Sequence, residues 1–206
     1  MTGSTPVPRI VHQIWLQGEG AMPGEAYAAS RTTCHVAKDA GWAYRLWSES
    51  DLMGFLSWYP SLRHLAPSAA FRADLGRYSI LWDVGGLYLD MDIDLFRLPE
   101  DLKGAWTVQG GNHVMAAPPG HPRVRKMLEV FGEVMTGIPA TDPRPSWNAL
   151  YQRYFCADEG WDGIWPQHLW HDLLYGRGQR PSPARECFGH HHSRSKQWGS
   201  FATLPR

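Results

Sequence analysis

The chain has 206 residues, enough for one domain with a sizeable buried core. Its 20 acidic and 20 basic residues cancel, so it carries no electrostatic footprint for nucleic acid or for an anionic membrane surface. Only 19% of residues are charged, which excludes the composition of a disordered chain.

The opening MTGSTPVP lacks the charged region and apolar run of a signal peptide. No stretch approaches about 18 consecutive apolar residues, so no membrane span is expected. Cys34, Cys156 and Cys187 are widely spaced and form no metal or redox motif. Reduced thiols in a cytoplasmic protein, in solution or peripheral to the membrane, are the expectation. No repeat or linker divides the chain, so residues 1–206 are expected to form a single domain. Most of the 11 Trp should lie in its core.

Residues 8–15, PRIVHQIW, are β-branched and apolar and predict a first strand. Gly18, Gly20 and Pro23 mark the loop after it. A helix is expected over 25–40 and an alternating strand over 41–47. A second helix is expected over 48–59, opened by Ser48 and Asp51 as a capping box. This strand–helix order predicts an α/β sandwich with a largely parallel sheet. The next helix runs from Ser68, a natural N-cap, to the glycine stop Gly85-Gly86. One of its stripes is apolar, with Phe71, Leu75, Tyr78 and Trp82. A second carries Ala70, Asp74, Arg77 and Leu81. Asp74 and Arg77 are three apart and adjacent, by default as an exposed pair.

Gly86-Leu87-Tyr88-Leu89 then reads as a strand buried on both sides, leading into Asp90, Asp92 and Asp94. In an extended segment, residues two apart point the same way, so Asp90 and Asp92 would aim at one point. Two close carboxylates repel unless a cation lies between them, and hard oxygen ligands suit Mg²⁺ or Mn²⁺. An isolated Asp-x-Asp is a weak motif that by itself reads first as a solvated acidic turn. Acids at the exit of a buried strand, however, lie where open α/β sheets bind ligands. Beyond Pro99, residues 106–109 and 114–117 predict strands, and 124–134 an outer helix.

Ala70-x-x-x-Asp74-x-x-Arg77-Tyr78-x-x-Leu81, followed by Val84-Gly85-Gly86-Leu87-Tyr88-Leu89-Asp90-Met91-Asp92, resembles the core of the DXD sugar-binding glycosyltransferases. That family includes the yeast initiating α-mannosyltransferases and bacterial capsular and oligosaccharide transferases. It is related more distantly to the clostridial glucosylating toxins. The opening Ile10-Val11-His12-Gln13-Ile14-Trp15 and the Trp42–Trp47 segment are similar to the family's too. The resemblance implies a GT-A-like nucleotide-sugar-binding fold, with a mainly parallel central sheet flanked by helices. It implies transfer of a sugar from a nucleoside diphosphate sugar, UDP favoured over GDP, to a glycan, lipid-linked or protein hydroxyl. It also implies dependence on Mn²⁺ or Mg²⁺ and retention at the anomeric carbon.

Residue by residue, Trp15 would stack on the base, and Asp74 and Arg77 would hydrogen-bond the donor sugar. Tyr88 would contact the donor from the strand. Asp90 would hold the ribose hydroxyl, or the ion through water, and Asp92 would bind the ion directly. In the C-terminal segment His190–Trp198, His192 would reach the metal region, while Ser195 and Trp198 would cap the diphosphate. The spacing there departs from the family's His-x-x-x-Ser-Trp, and the inserted Ile138 departs from its T-G-P segment. His121 reads as a loop residue. The many Trp and the lack of an obvious base also suit a metal-independent, lectin-like sugar-binding module. Paired aspartates at a strand end suit a metal-dependent nucleotidyl or phosphoryl transferase as well.

Overall fold

The computed structural model describes residues 5–108, 111–137, 160–166, 169–170 and 188–191. Among them a six-stranded sheet has the order β2-β1-β3-β6-β5-β7. Its strands are β1 Ile10–Ile14, β2 Ala43–Trp47, β3 Gly86–Leu89, β5 Trp106–Val108, β6 Val114–Ala117 and β7 Gly163–Trp165. A separate two-stranded ribbon pairs β4, Ile93–Leu95, with β8, Gly189–His191. β1 pairs in parallel with β2 and β3, and β5 with β7, while β6 runs antiparallel to β3 and β5. The sheet is therefore mixed and mainly parallel, as the strand–helix order predicts.

Alternation along the strands sorts side chains into two cores. Leu87 and Leu89 of β3, with Val114 and Ala116 of β6, meet α1, Gly24–Asp39, and the β4 ribbon on one face. Tyr88, Met115 and Ala117 point to the other face, beneath α4, Ala69–Asp83, and α5, Pro122–Gly137. α4 is buried nearly all round, from Leu75 to Leu81 without interruption, rather than along one apolar stripe. It is enclosed by the sheet, by α5 and by the short helices before it.

The helix expected over 48–59 is divided. α2, Glu49–Phe55, starts at the Ser48–Asp51 capping box, and α3, Trp58–Leu62, follows an extended Leu56. The break is a tertiary effect. Asp83, at the far end of α4, accepts hydrogen bonds from the Ser57 backbone N–H at 2.7 Å and hydroxyl at 2.6 Å, anchoring the start of α3. Glu49 in turn receives Arg72 of α4 at 3.0 Å and Arg63 at 2.9 Å, locking α2 against α4.

The tightest passage is Gly85-Gly86, where φ is +68° and +108°. A Cβ on Gly86 would lie 2.7 Å from His12 Nε2 and from the Ile10 carbonyl. Only glycine allows β3 to enter so close beside β1. His12 is fully buried there. Its Nε2 donates to the Gly85 carbonyl at 2.7 Å, and its Nδ1 accepts from Trp47 Nε1 at 3.0 Å. Both ring nitrogens are thus held by a neutral imidazole. Burial lowers its pKa to about 4, against a partial rise from the Gly85 bond. Among the described residues, no helix is long and apolar enough to cross a membrane.

Candidate active site

The chain leaves β1 toward β2 through α1, and leaves β2 toward β3 through helices on the opposite face. The carboxyl ends of β1 and β3 are therefore a topological switch point, where open α/β sheets form a ligand crevice. Trp15, Asp90 and Asp92 all emerge at this point, and α4 delivers Asp74 and Arg77 to it.

Arg77 is the hub. Its Nη2 lies 3.1 Å from Asp74 Oδ1 and 3.1 Å from Asp90 Oδ1, and its Nη1 donates to the Asn112 carbonyl at 2.8 Å. Its guanidinium lies 4.9 Å from the centre of the Tyr88 ring, and the Tyr88 hydroxyl donates to Asp90 Oδ1 at 2.8 Å. The side chains of Asp74 and Arg77 are 14% and 7% exposed, so the pair expected at the surface is an interior one. Burial raises the Asp74 carboxyl above its usual range, opposed by Arg77 and by the Asn112 amide. Burial alone would lower the Arg77 pKa, but Asp90, Tyr88 and Asp74 together push it well above the ordinary value. Burial likewise raises the Tyr88 hydroxyl well above its usual range, so it remains a donor.

The acids do not continue the strand. Ile93 N–H donates to the Asp90 carbonyl at 3.2 Å, making a turn through Met91 and Asp92 before β4 begins. The alternate-position geometry of an extended segment does not apply, since a turn carries the backbone from Asp90 through Asp92. That turn is not a solvated one: Asp92 is 6% exposed, and the Asp90 side chain 26%. Asp94 lies within β4, in register with His190. Trp15 is 5% exposed and packs with Ala26 and Met91, the central residue of the Asp-x-Asp. His192, Ser195 and Trp198 lie outside the described residues.

Asn112, on the β5–β6 loop, is a further residue of the cluster around Arg77. Its amide donates to Asp74 Oδ1 at 3.2 Å and to the Tyr78 hydroxyl at 2.7 Å. It therefore fixes the Asp74–Arg77 pair from the β5–β6 loop. His121 proves a scaffold residue: Nδ1 accepts from the Arg123 N–H at 3.2 Å and Nε2 meets Asp162 at 3.0 Å.

The donor set suits a hard divalent ion. Among the described residues, no three or more His, Cys, Asp or Glu cluster as an all-protein cage would require. Mg²⁺ and Mn²⁺ in transferases usually take one or two carboxylates, completed by substrate phosphates and water. Asp90 and Asp92, on one turn at the crevice, match that pattern, with Asp90 Oδ1 already engaged by Arg77 and Tyr88.

The crevice, with its aspartates following β3, lies in a mixed, mainly parallel α/β sheet flanked by helices, a fold of GT-A-like type. The solved structure of PaToxG Glycosyltransferase shares the fold, with a TM-score of 0.50 and 17% identity over 73% of this chain and 70% of that one.

Residues 27–105 match the family described as "Glycosyltransferase sugar-binding region containing DXD motif". Inositol phosphoceramide mannosyltransferase 3 of Schizosaccharomyces pombe is 32% identical over 130 residues, 58% of this chain and 35% of its own length. Inositol phosphoceramide mannosyltransferase 1 of the same organism is 28% identical over 130 residues, 56% of this chain and 40% of its own length. An uncharacterized glycosyltransferase of Acanthamoeba polyphaga mimivirus is 33% identical over 92 residues, 42% of this chain and 36% of its own length. The chain thus spans well under half the length of these relatives.

Proposed function

We propose that this chain is a glycosyltransferase domain that moves a sugar from a nucleoside diphosphate sugar to a hydroxyl acceptor. The observation that carries this reading is the convergence of Asp74, Arg77, Tyr88 and Asp90 at the switch point between β1 and β3. Asp74 and Arg77 hydrogen-bond the donor sugar. Asp90 takes the ribose hydroxyl from a carboxylate that Arg77 and Tyr88 hold in place. Trp15 stacks on the base, UDP being favoured, once Met91 yields access to its face. Asp92 holds the divalent ion with Asp90. That ion, when bound, offsets the negative charge that develops on the departing diphosphate. As the resemblance implies, His192 would reach the metal region and Ser195 and Trp198 would cap the diphosphate.

The acceptor oxygen forms its bond to the anomeric carbon as the bond to the diphosphate oxygen breaks. The hydroxyl proton leaves to the departing phosphate. Attack on the face that the diphosphate vacates gives retention, as the family resemblance implies. The relatives' names bring mannose and an inositol phosphoceramide into the donor and acceptor panel. Glycan acceptors of polysaccharide assembly belong there too.

The test is a thermal-shift titration with UDP- and GDP-linked sugars, mannose among them, with and without Mn²⁺. Ligands that bind the native state raise its stability by mass action, by about 2.7 kcal/mol at a hundredfold excess over Kd. A shift for one nucleotide sugar that needs Mn²⁺ supports the reading and names the donor. Sugar binding without a nucleotide would favour a lectin-like module. Release of pyrophosphate or phosphate in place of a nucleoside diphosphate would favour a nucleotidyl or phosphoryl transferase. Asp92→Asn is expected to abolish turnover while leaving the melting temperature within a few degrees. Full activity of that variant in metal-depleted buffer would remove Asp92 from the mechanism.

A further inference from the structure

We propose that Gln13 is a positioning residue for the acidic turn, holding the Asp90 carbonyl through a part-buried hydrogen-bond chain that begins on α1. The Gln13 side chain is fully buried and points to the α1 face of β1, the same face as Val11. Its Nε2 donates to the Asp90 carbonyl at 3.2 Å. Its Oε1 accepts from the Tyr44 hydroxyl at 2.9 Å, and Tyr44 lies 2.7 Å from Ser30 Oγ on α1. Because Tyr44 directs its proton to Gln13, the Ser30 hydroxyl donates to Tyr44. The order of donors is therefore fixed along the chain, and it sets which end of the amide faces the turn. Tyr44 keeps its proton, since burial pushes its pKa up to about 12.

The Asp90 carbonyl receives the Ile93 N–H as well as Gln13, so the Gln13 amide grips the oxygen that closes the turn. A glutamate at position 13 would keep the acceptor for Tyr44 but set a carboxylate against the carbonyl. A methionine would match the length and volume with no donor. Either change leaves the acids in the chain while loosening the turn that aims them.

The consequence for the ion and donor rests on the transferase reading; the bracing of the turn does not. The experiment therefore has two arms, on the full chain and its variants Gln13→Met and Tyr44→Phe. In the first, hydrogen exchange is followed over residues 90–93 and over α5 as an internal reference. Loss of one net hydrogen bond should speed exchange in the turn by roughly three- to tenfold, with α5 unchanged. In the second, Mn²⁺ is titrated at fixed nucleotide sugar, and the half-saturating Mn²⁺ concentration should rise by a similar factor. Tyr44→Phe, which only frees the amide to turn, should show the smaller change in both arms. Unchanged exchange over 90–93, or acceleration shared equally by α5, overturns the proposal and makes Gln13 an ordinary core amide. If the unaltered chain binds no nucleotide sugar, the transferase reading fails and the exchange arm still decides the bracing.

Discussion

Arg77→Met is expected to lower stability by about 3 kcal/mol and to abolish the donor-dependent thermal shift. Removing one partner of a buried pair leaves its counter-charge stranded, which typically costs about 3–5 kcal/mol. Here Asp74 and Asp90 both lose their cation, 14% and 26% exposed at the side chain, and Asn112 loses the donor to its carbonyl. Partial access to water places the effect at the lower end of that range. For a chain of this size the melting temperature should fall by about 10 °C. Arg77→Lys should fare little better, because one ammonium cannot reproduce a planar fork reaching two carboxylates and a carbonyl. Urea melts and donor titration of both variants check this. A fully stable Arg77→Met variant that still binds donor would show that the arginine is not the hub its geometry indicates.

A second large effect concerns acid. His12 has a pKa lowered from 6.5 to about 4 by burial, with both nitrogens bonded in the neutral form. The unfolded chain takes up its proton as pH falls through about 6.5, whereas the folded chain does so only near 4. The stability contributed by His12 is therefore fully present above pH 6.5 and is lost as pH falls toward 4, by about 3 kcal/mol in all. Asp74 acts in the opposite sense as pH falls toward its ordinary value of 3.8, because burial raises its pKa and favours its neutral form in the folded chain. Urea melts of the parent and of His12→Gln at pH 7 and pH 4.5 separate the two. The variant should lose less stability between those pH values than the parent. An identical loss would assign the acid sensitivity to other groups.

Local chemistry determined much of this protein. The Ser48–Asp51 capping box forms as its spacing predicts, and the Ser68 cap opens α4. The Gly85-Gly86 stop sits one residue past the α4 cap at Val84 and leads directly into a strand buried at every position. These features are legible because each is a bond, or a periodicity, between residues only a few positions apart. The same holds for the resemblance over residues 70–92, which places the aspartates after β3 and Asp74 near Arg77.

Tertiary structure alone decided what those residues touch. Asn112 reaches Asp74 across 38 positions, Gln13 reaches Asp90 across 77, and Ser57 reaches Asp83 across 26. No local pattern encodes such partners, because they meet only when the sheet order is set. The split of the expected 48–59 helix, the turn in place of an extended acidic strand and the burial of Asp74 with Arg77 share that origin. Each arises where a distant group outweighs a local preference worth a few tenths of a kcal/mol. The fold class and the identity of the acids were thus written locally. Their charge state, orientation and bracing came from contacts that only the folded chain creates.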